Sequence, residues 1–228
     1  MMQIEINKLI RSKRRTIALI VERDGSLTVR APKRAAVVDI HSFILEKQEW
    51  IIRMRERFRA LPEAPKREYK DGEVFSFLGS EYELRLVNPQ RPALKFEDGF
   101  KLGSTAQPRA ERLFTQWYKE QALAVISERV DAFSAEYGFS PKQVKISSAK
   151  TRWGSCSPDG TLNFTWRLVM APLEVVDYVV VHELAHLRVK NHSSRFWREV
   201  EKILPEYKER RKWLRDYGEG LSLQGGRG

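Results

Sequence analysis

Residues 182–192 read HELAHLRVKNH and hold three of the chain's four histidines. On an α-helix, His182 and His186 lie four residues apart on one face, so both imidazoles can reach one cation. Glu183 lies at the edge of that face, where its carboxylate can hold a metal-bound water. The preceding residues 175–181 (VVDYVVV) are strongly apolar, which indicates a buried helix. The pattern therefore predicts a metal site inside the fold.

Neutral imidazole nitrogens suit Zn²⁺, and a catalytic zinc has three protein ligands and leaves its fourth position to water or substrate. We expect one Zn²⁺ per chain, held by His182, His186 and His192, with Glu183 as the general base that deprotonates the zinc-activated water. His192 cannot continue the same helical face, because six residues past His186 correspond to about 600° of rotation. We expect the chain to turn at Lys190–Asn191, since asparagine tolerates the left-handed conformation that ends helices.

The sequence leaves alternatives to this site open. A glutamate downstream, Glu199, Glu201 or Glu206, could replace His192 as the third ligand. The motif could also occur by chance on a solvated helix. A structural zinc would instead make the protein a catalytically inert, zinc-stabilised interaction module.

The motifs on both sides of the helix resemble those of a known family. Four motifs carry the similarity: RWGSCS at 152–157, DYVVVHELAHL at 177–187, NHS at 191–193 and FW at 196–197. They resemble the YgjP-like family of predicted zinc metallopeptidases, which are relatives of the SprT-like group. The resemblance is dense from Lys145 to Trp213 and looser over the N-terminal half. It implies a compact zincin-type fold, a mononuclear zinc at the three histidines, and Glu183 as general base.

Metzincin peptidases share the spacing between the second and third histidines. Their pattern has a glycine where this chain has Val189, and their fold needs a methionine turn after the third histidine. The four methionines, Met1, Met2, Met54 and Met170, all lie upstream of it. The sequence therefore disfavours a metzincin fold.

The RWGSCS block predicts a hairpin, because the following residues 157–160 (SPDG) are typical of a turn. We expect a structural role; in the functional alternative this hairpin is an edge strand beside the zinc, where an extended substrate peptide adds as another strand. Arg152 could then contact substrate or stabilise the oxyanion, and Arg195 and Tyr207 are further candidates. Cys156, the only cysteine, is expected to be a small buried residue and not a ligand.

Composition bounds the class of protein. A chain of 228 residues with 42% hydrophobic and 11% aromatic content can form a substantial globular core. A single cysteine excludes an intramolecular disulfide, and neither a signal peptide nor an apolar run of membrane length is evident. We therefore expect a cytoplasmic protein without membrane contact that acts on a peptide or protein substrate. Its oligomeric state stays open.

The net charge of +11 is concentrated near the N-terminus, because residues 1–70 hold 17 Lys or Arg against 9 Asp or Glu. One interpretation is a basic surface that docks a nucleic-acid-associated protease onto its substrate. The other interpretation, which we favour, is an ordinary solvated face. It rests on the helical spacing of the apolar residues that alternate with Arg53, Arg55, Arg57 and Arg59.

The order of elements predicts an α+β fold with a β-rich N-terminal half. We expect a meander of strands at 3–9, 16–22 and 26–30, with a hairpin through Asp24-Gly25, and then one amphipathic helix at 39–61. Further antiparallel strands are expected before Ser104.

After Ser104 the apolar residues recur at helical spacing up to Gly138, which predicts a long helix that backs the metal-binding helix. A small antiparallel sheet is expected to lie over the metal-binding helix, as in zincin folds. The predicted organisation is a β-rich N-terminal region with one long helix at 1–104, a zincin-like catalytic domain at 105–218 and a disordered tail at 219–228.

Overall fold

The computed structural model describes residues 4–22, 24–60 and 67–223. They form two compact units, of which unit 1 ends at Arg67 and unit 2 is Glu68–Leu223. Both units contain helices and strands, so the predicted α+β class is confirmed.

Unit 1 is a three-stranded sheet with two helices. Its elements are β1 (Lys8–Ser12), β2 (Ala18–Val21), β3 (Leu27–Pro32), α1 (Val37–Glu46) and α2 (Gln48–Ala60). β2 and β3 form the predicted antiparallel hairpin, and Gly25 adopts a φ of +81° in its turn. β1 pairs with β3 in parallel, so the predicted meander is wrong. Gln3, the predicted start of the first strand, lies outside the described residues.

The helix predicted at 39–61 is two helices. α1 ends at Glu46, and Lys47 leaves helical geometry with a φ of −99° and a ψ of 12°. The buried residues Ile40, Ile44 and Ile51 keep helical spacing across this break, which is why the pattern does not reveal it. The predicted end of the helix at residue 61 lies outside the described residues.

The arginines of α2 have different surroundings. Arg53 is 68% exposed and lies 3.7 Å from Glu49, as expected of a solvated face. Arg55 is partly buried and donates a hydrogen bond to the Gly25 carbonyl. The side chains of Arg57 and Arg59 lie outside the described residues. Whether the basic N-terminal region contacts nucleic acid stays a prediction.

Unit 2 begins with a four-stranded sheet. Its strands are β4 (Val74–Phe77), β5 (Ser80–Val87), β6 (Leu94–Phe96) and β7 (Phe100–Gly103), in the order β4-β5-β7-β6. β5 and β7 are parallel, whereas the other pairs are antiparallel as predicted. Phe75 and Phe100 pack on Phe114 of the long helix α3 (Ala110–Tyr137), with ring centroids 4.3 and 4.8 Å away.

The observed division differs from the boundary predicted after Ser104, because this sheet belongs to unit 2. The turn between β4 and β5 packs against the start of helix α4 (Leu173–Arg188), which Pro172 caps. At Gly79, where φ is +81°, an added Cβ would lie 2.9 Å from the Pro172 Cα. The change of hydrophobic period at residue 104 therefore marks a change of secondary structure inside one unit.

The second sheet of unit 2 contains β8 (Gln143–Ser147), β9 (Gly154–Cys156) and β10 (Thr161–Thr165), in the order β8-β10-β9. β9 and β10 form the predicted hairpin, and Gly160 adopts a φ of +84° in its turn. β8 is parallel to β10, so the sheet predicted to be antiparallel is mixed. Gly138 ends α3 at a φ of +66°, as predicted.

The chain closes with helices α5 (Ser194–Ile203) and α6 (Tyr207–Tyr217). The predicted disordered tail is wrong for residues 219–223, since Gly218–Gly220 form a 3-10 turn and Leu223 is buried. Residues 224–228 lie outside the described residues. In the part of the chain that the structure describes, no helix has the length and apolar character needed to cross a bilayer.

α4 is attached to α3 at two places, as expected of a helix backed by another. Near its start, Asp177 accepts two hydrogen bonds from the Arg129 guanidinium, at 2.6 and 2.9 Å. At its end, Arg188 donates to the carbonyls of Tyr137 and Gly138, which the end of α3 leaves without helical partners. These contacts fix the position of α4 along α3.

Replacing Asp177 with Asn is expected to lower the free energy of unfolding by about 1–3 kcal/mol, because the partly buried Arg129 loses its charged partner. Chemical denaturation measures this change. The control is Glu174→Gln on the same helix, which removes an exposed ion pair of 3.9 Å with Arg210 and should change stability by less than about 0.5 kcal/mol. Equal effects of both variants would contradict this role of Asp177.

Candidate metal centre

α4 brings the first two histidines of the motif to one point. Most faces of α4 carry buried residues, whereas His182 and His186 lie on a face that is only partly buried. Their ring centroids lie 5.0 Å apart. Glu183, on the adjacent side of the helix, is 5% exposed. The four-residue spacing of His182 and His186 therefore brings the two imidazoles together on one face of the helix, as the sequence predicts.

The chain bends at Lys190 and Asn191 as predicted, but not through a left-handed asparagine. α4 ends at Arg188, and Val189 is extended, with a φ of −132° and a ψ of 107°. Non-glycine residues with positive φ in the described part of the chain are Tyr69 and Leu78, so Asn191 is not left-handed. Its Oδ1 instead accepts a hydrogen bond from the Ser193 N–H, which closes the turn. Because an extended residue needs no glycine, valine fits at position 189.

This turn returns His192 to the other two histidines. Its Nε2 lies 2.9 Å from the His182 Nε2, and one nitrogen from each of the three rings lies within 4.8 Å of the other two. Among the described residues this is the one such group of His, Cys, Asp or Glu side chains.

The alternative glutamates lie elsewhere. Glu199 pairs with Arg188 and Lys202, both at 3.3 Å, and Glu201 pairs with Lys208 at 3.4 Å. Glu206 precedes the first turn of α6 and belongs to no cluster of metal-ligand type in the described residues. The geometry thus favours His192 as the third ligand.

The histidine cluster fits a tetrahedral zinc ion. Zn–N bonds of about 2.0–2.1 Å place ligand nitrogens about 3.3 Å apart. The distance of 2.9 Å between the Nε2 atoms of His182 and His192 is close to this, and the ligand atom of His186 lies within 4.8 Å of both rings' nitrogens. The Nδ1 of His186 lies 3.1 Å from the Val189 carbonyl, which can only accept, so the proton sits on Nδ1 and Nε2 keeps a lone pair. Burial, together with the neighbouring His186 and His192, lowers the pKa of His182 to about 3 and keeps that ring neutral.

Phe196 holds the three imidazoles in place. It is fully buried, and its ring centroid lies 4.8, 4.5 and 4.8 Å from those of His182, His186 and His192. Trp197 stacks on His192 at 5.8 Å, with an angle of 27° between the rings. The sequence shows Phe196 and Trp197 only as part of the motifs that resemble the family, because spacing alone does not show which side chains they contact.

Glu183 is enclosed by β9. An added Cβ at Gly154 would lie 2.6 Å from both the Cγ and the Oε1 of Glu183, so a larger residue at position 154 would displace the Glu183 side chain. Burial raises the pKa of Glu183 to about 7, although the charge of Arg152 and a hydrogen bond from the Cys156 N–H act in the opposite direction. The Glu183 Oε2 is buried and has no hydrogen-bond partner among the described residues.

β9 is an edge strand, as the functional alternative for the RWGSCS block requires. Trp153 and Ser157 bond to β10, and backbone groups alternate in direction along a strand. Gly154 and Cys156 therefore present their backbone groups on the opposite side, toward Glu183. One of these groups, the Cys156 N–H, bonds to the Glu183 carboxylate.

The three predicted substrate contacts have different places. Arg152 is exposed and close enough for its charge to act on Glu183. Arg195 is exposed in the first turn of α5. Tyr207 is buried and stacks on Trp197 at 5.4 Å, one side chain away from the histidines.

Cys156 lies outside the histidine cluster, as predicted, but it is partly exposed and not buried as expected. Burial raises the pKa of its thiol, which keeps the thiol protonated and makes it a poor ligand or nucleophile.

Comparisons with known proteins place this chain in a family. A family model described as the YgjP-like metallopeptidase domain matches residues 15–217. The crystal structure of the metallopeptidase zymogen of Pyrococcus abyssi abylysin is similar to this chain at 28% sequence identity and a TM-score of 0.38. The similarity covers 41% of this chain and 95% of that chain. Comparison with curated proteins gives no match.

In the metal-free protein, Glu183→Gln is expected to increase the free energy of unfolding more at pH 8 than at pH 5. A carboxyl whose pKa rises on folding, here from 4.5 to about 7, stabilises the fold at low pH and loses this contribution as pH rises through the folded pKa. Glutamine does not titrate, so the benefit of the substitution grows across that window.

Denaturation in the presence of a chelator at pH 5, 6, 7 and 8 measures this difference. The control is Glu201→Gln, at an exposed position of α5. A stability difference for Glu183→Gln that is constant across the series would rule out a carboxyl neutralised by burial.

Proposed function

Because this chain belongs to the family of YgjP-like metallopeptidase domains, we propose that it is a zinc-dependent metallopeptidase with a zincin-like site. The observation that carries the proposal is that three imidazoles converge beside a buried carboxylate. The carboxylate belongs to Glu183, which is on the same helix as His182 and His186. His182, His186 and His192 would hold one zinc ion.

The proposed chemistry divides between the metal and Glu183. Zinc, when bound, acts as a Lewis acid that polarises the scissile carbonyl and lowers the pKa of water to about 7. Glu183 accepts the proton of the attacking water and later donates it to the leaving amine. A general base works best when its pKa lies near the working pH, and burial raises the pKa of Glu183 in that direction, to about 7 in the metal-free protein.

The substrate would lie along β9. An extended peptide that pairs with the open edge of this strand passes directly over Glu183, with backbone hydrogen bonds that do not depend on its sequence. The charge of Arg152 acts on the same carboxylate, so Arg152 is the best placed of the predicted contacts to stabilise the oxyanion.

Two observations support catalysis over an inert zinc module. Structural zinc sites are closed by four protein ligands, whereas the cluster in the described residues offers three. Glu183 is buried with an unpartnered oxygen, and such an arrangement costs stability without serving a structural zinc. A carboxylate that is enclosed but not coordinated suits a proton carrier.

Replacing Glu183 with Gln is expected to lower kcat/KM by about 10²–10⁴-fold, the contribution of general-base catalysis, while one zinc per chain is retained. Metal analysis and hydrolysis of a broad peptide library measure the two effects. His192→Ala should instead lose zinc together with activity, and Glu201→Gln should change neither. Zinc-loaded wild-type protein that cleaves no peptide would support the inert module.

Gly154→Ala is expected to lower kcat/KM by about 10–100-fold with zinc still bound, because the new methyl group displaces Glu183 by a fraction of an ångström or more. Gly220→Ala is the matched control, since an added Cβ there meets no atom within 4 Å. Kinetics and metal content of both variants test the prediction. Unchanged kinetics in Gly154→Ala would show that β9 does not fix the position of Glu183.

A further inference from the structure

A cavity of about 340 Å³ opens beside His182 and Glu183. Its walls come from β9 and the residue before it, from the preceding turn of α4, and from α6: Trp153, Gly154, Tyr178, Val179, Arg211, Leu214 and Arg215. Ligand pockets have volumes of roughly 300–1,000 Å³, so this cavity suits a small group. Because it adjoins the proposed reaction centre, its occupant would be a substrate residue next to the scissile bond.

Arg211 gives this cavity a fixed positive charge. Its guanidinium carbon lies 4.7 Å from the centre of the Trp197 ring, and Trp197 stacks in turn on Tyr207. His182 and Glu183 line the same cavity, so this charge lies beside the proposed reaction centre.

Arg211 differs from the other basic residues of α6. The others have carboxylate partners: Lys208 with Glu201 at 3.4 Å, Arg210 with Glu174 at 3.9 Å, Lys212 with Asp216 at 2.8 Å and Arg215 with Asp216 at 3.1 Å. No carboxylate within the described ranges forms an ion pair with Arg211. Of the two arginines that line the cavity, Arg211 is thus the one without a carboxylate partner among the described residues.

We propose that Arg211 forms an anion-binding subsite that selects peptides with a carboxylate next to the scissile bond. Stacking on Trp197 uses the face of the guanidinium and leaves its N–H donors, which match a carboxylate in geometry and charge, along the edge. This inference rests on the proposed peptidase function, because it names the substrate class of that site. The carboxylate is an acidic side chain or the peptide's C-terminus, and both present the same group.

Binding tests the subsite without turnover. Zinc-loaded Glu183→Gln protein is titrated with labelled peptides that carry Asp or Glu, or the isosteric Asn or Gln, at each position flanking the scissile bond. Acidic peptides should bind at least about tenfold more tightly, the effect of one charge-assisted hydrogen bond. Adding Arg211→Gln should reduce the difference to about twofold or less, whereas adding Lys208→Gln, which removes a charge from the same helix outside the cavity, should preserve it.

A second substitution separates charge from folding. Arg211→Lys keeps the positive charge and should retain part of the preference, and melting temperature and zinc content verify that each variant is folded. Amidated peptides identify the source of the carboxylate, since a preference lost on amidation assigns the subsite to the C-terminus and one that persists assigns it to a side chain. Equal binding of acidic and amide peptides, or a preference that survives Arg211→Gln in folded protein, would overturn the proposal.

Cleavage by the zinc-loaded wild type separates this proposal from the proposed function. Cleavage with the acidic preference supports both, and cleavage without it removes the subsite alone. Preferential binding without cleavage of any peptide removes the peptidase and leaves Arg211 as an anion site.

Discussion

The site depends on the fixed position of α4 on α3. Two residues of α4 form hydrogen bonds to α3. Asp177 accepts from the Arg129 guanidinium, and Arg188 donates to the carbonyls at the C-terminal end of α3. Between these attachments the helix is buried, so His182 and His186 cannot move without displacing the core.

The same packing that positions Glu183 also sets its chemistry. β9 passes so close that a side chain at position 154 would displace the Glu183 carboxyl, and Glu183 is only 5% exposed. Desolvation disfavours the charged form and raises the pKa, whereas the Cys156 N–H and the charge of Arg152 lower it. The balance lies near neutral pH, where a carboxyl can both accept and release a proton. Position and basicity are therefore consequences of one contact.

The parts of the fold that sequence predicts are those set by local pattern. The HExxH spacing places two histidines on one face, Asp24-Gly25 and Ser157–Gly160 form turns, and Gly138 ends a helix. Parallel pairing of β1 with β3 and of β8 with β10 is set by contacts between distant residues, and no local pattern encodes it. The same reason explains the misplaced domain boundary.

The candidate site shows the same division. Its histidines and glutamate lie within eleven residues, and the sequence identifies them all. The geometry that surrounds them comes from elsewhere in the chain: Phe196 behind the rings, Gly154 against the carboxylate and Arg211 in the cavity. A glycine or an arginine has many roles in proteins, so its residue type alone does not indicate which one it performs.

The charge of Arg211 has a cost that only a ligand offsets. Arg211 lines the cavity together with His182, so its charge disfavours a divalent ion at the imidazoles, because like charges repel. A carboxylate from this chain would remove that cost, as it does for Lys208 and Arg210 on the same helix. It would also occupy the cavity. If an anionic substrate pairs with Arg211 instead, the cavity stays open until a peptide binds. The substrate's own carboxylate then neutralises Arg211, so part of the binding energy depends on that carboxylate.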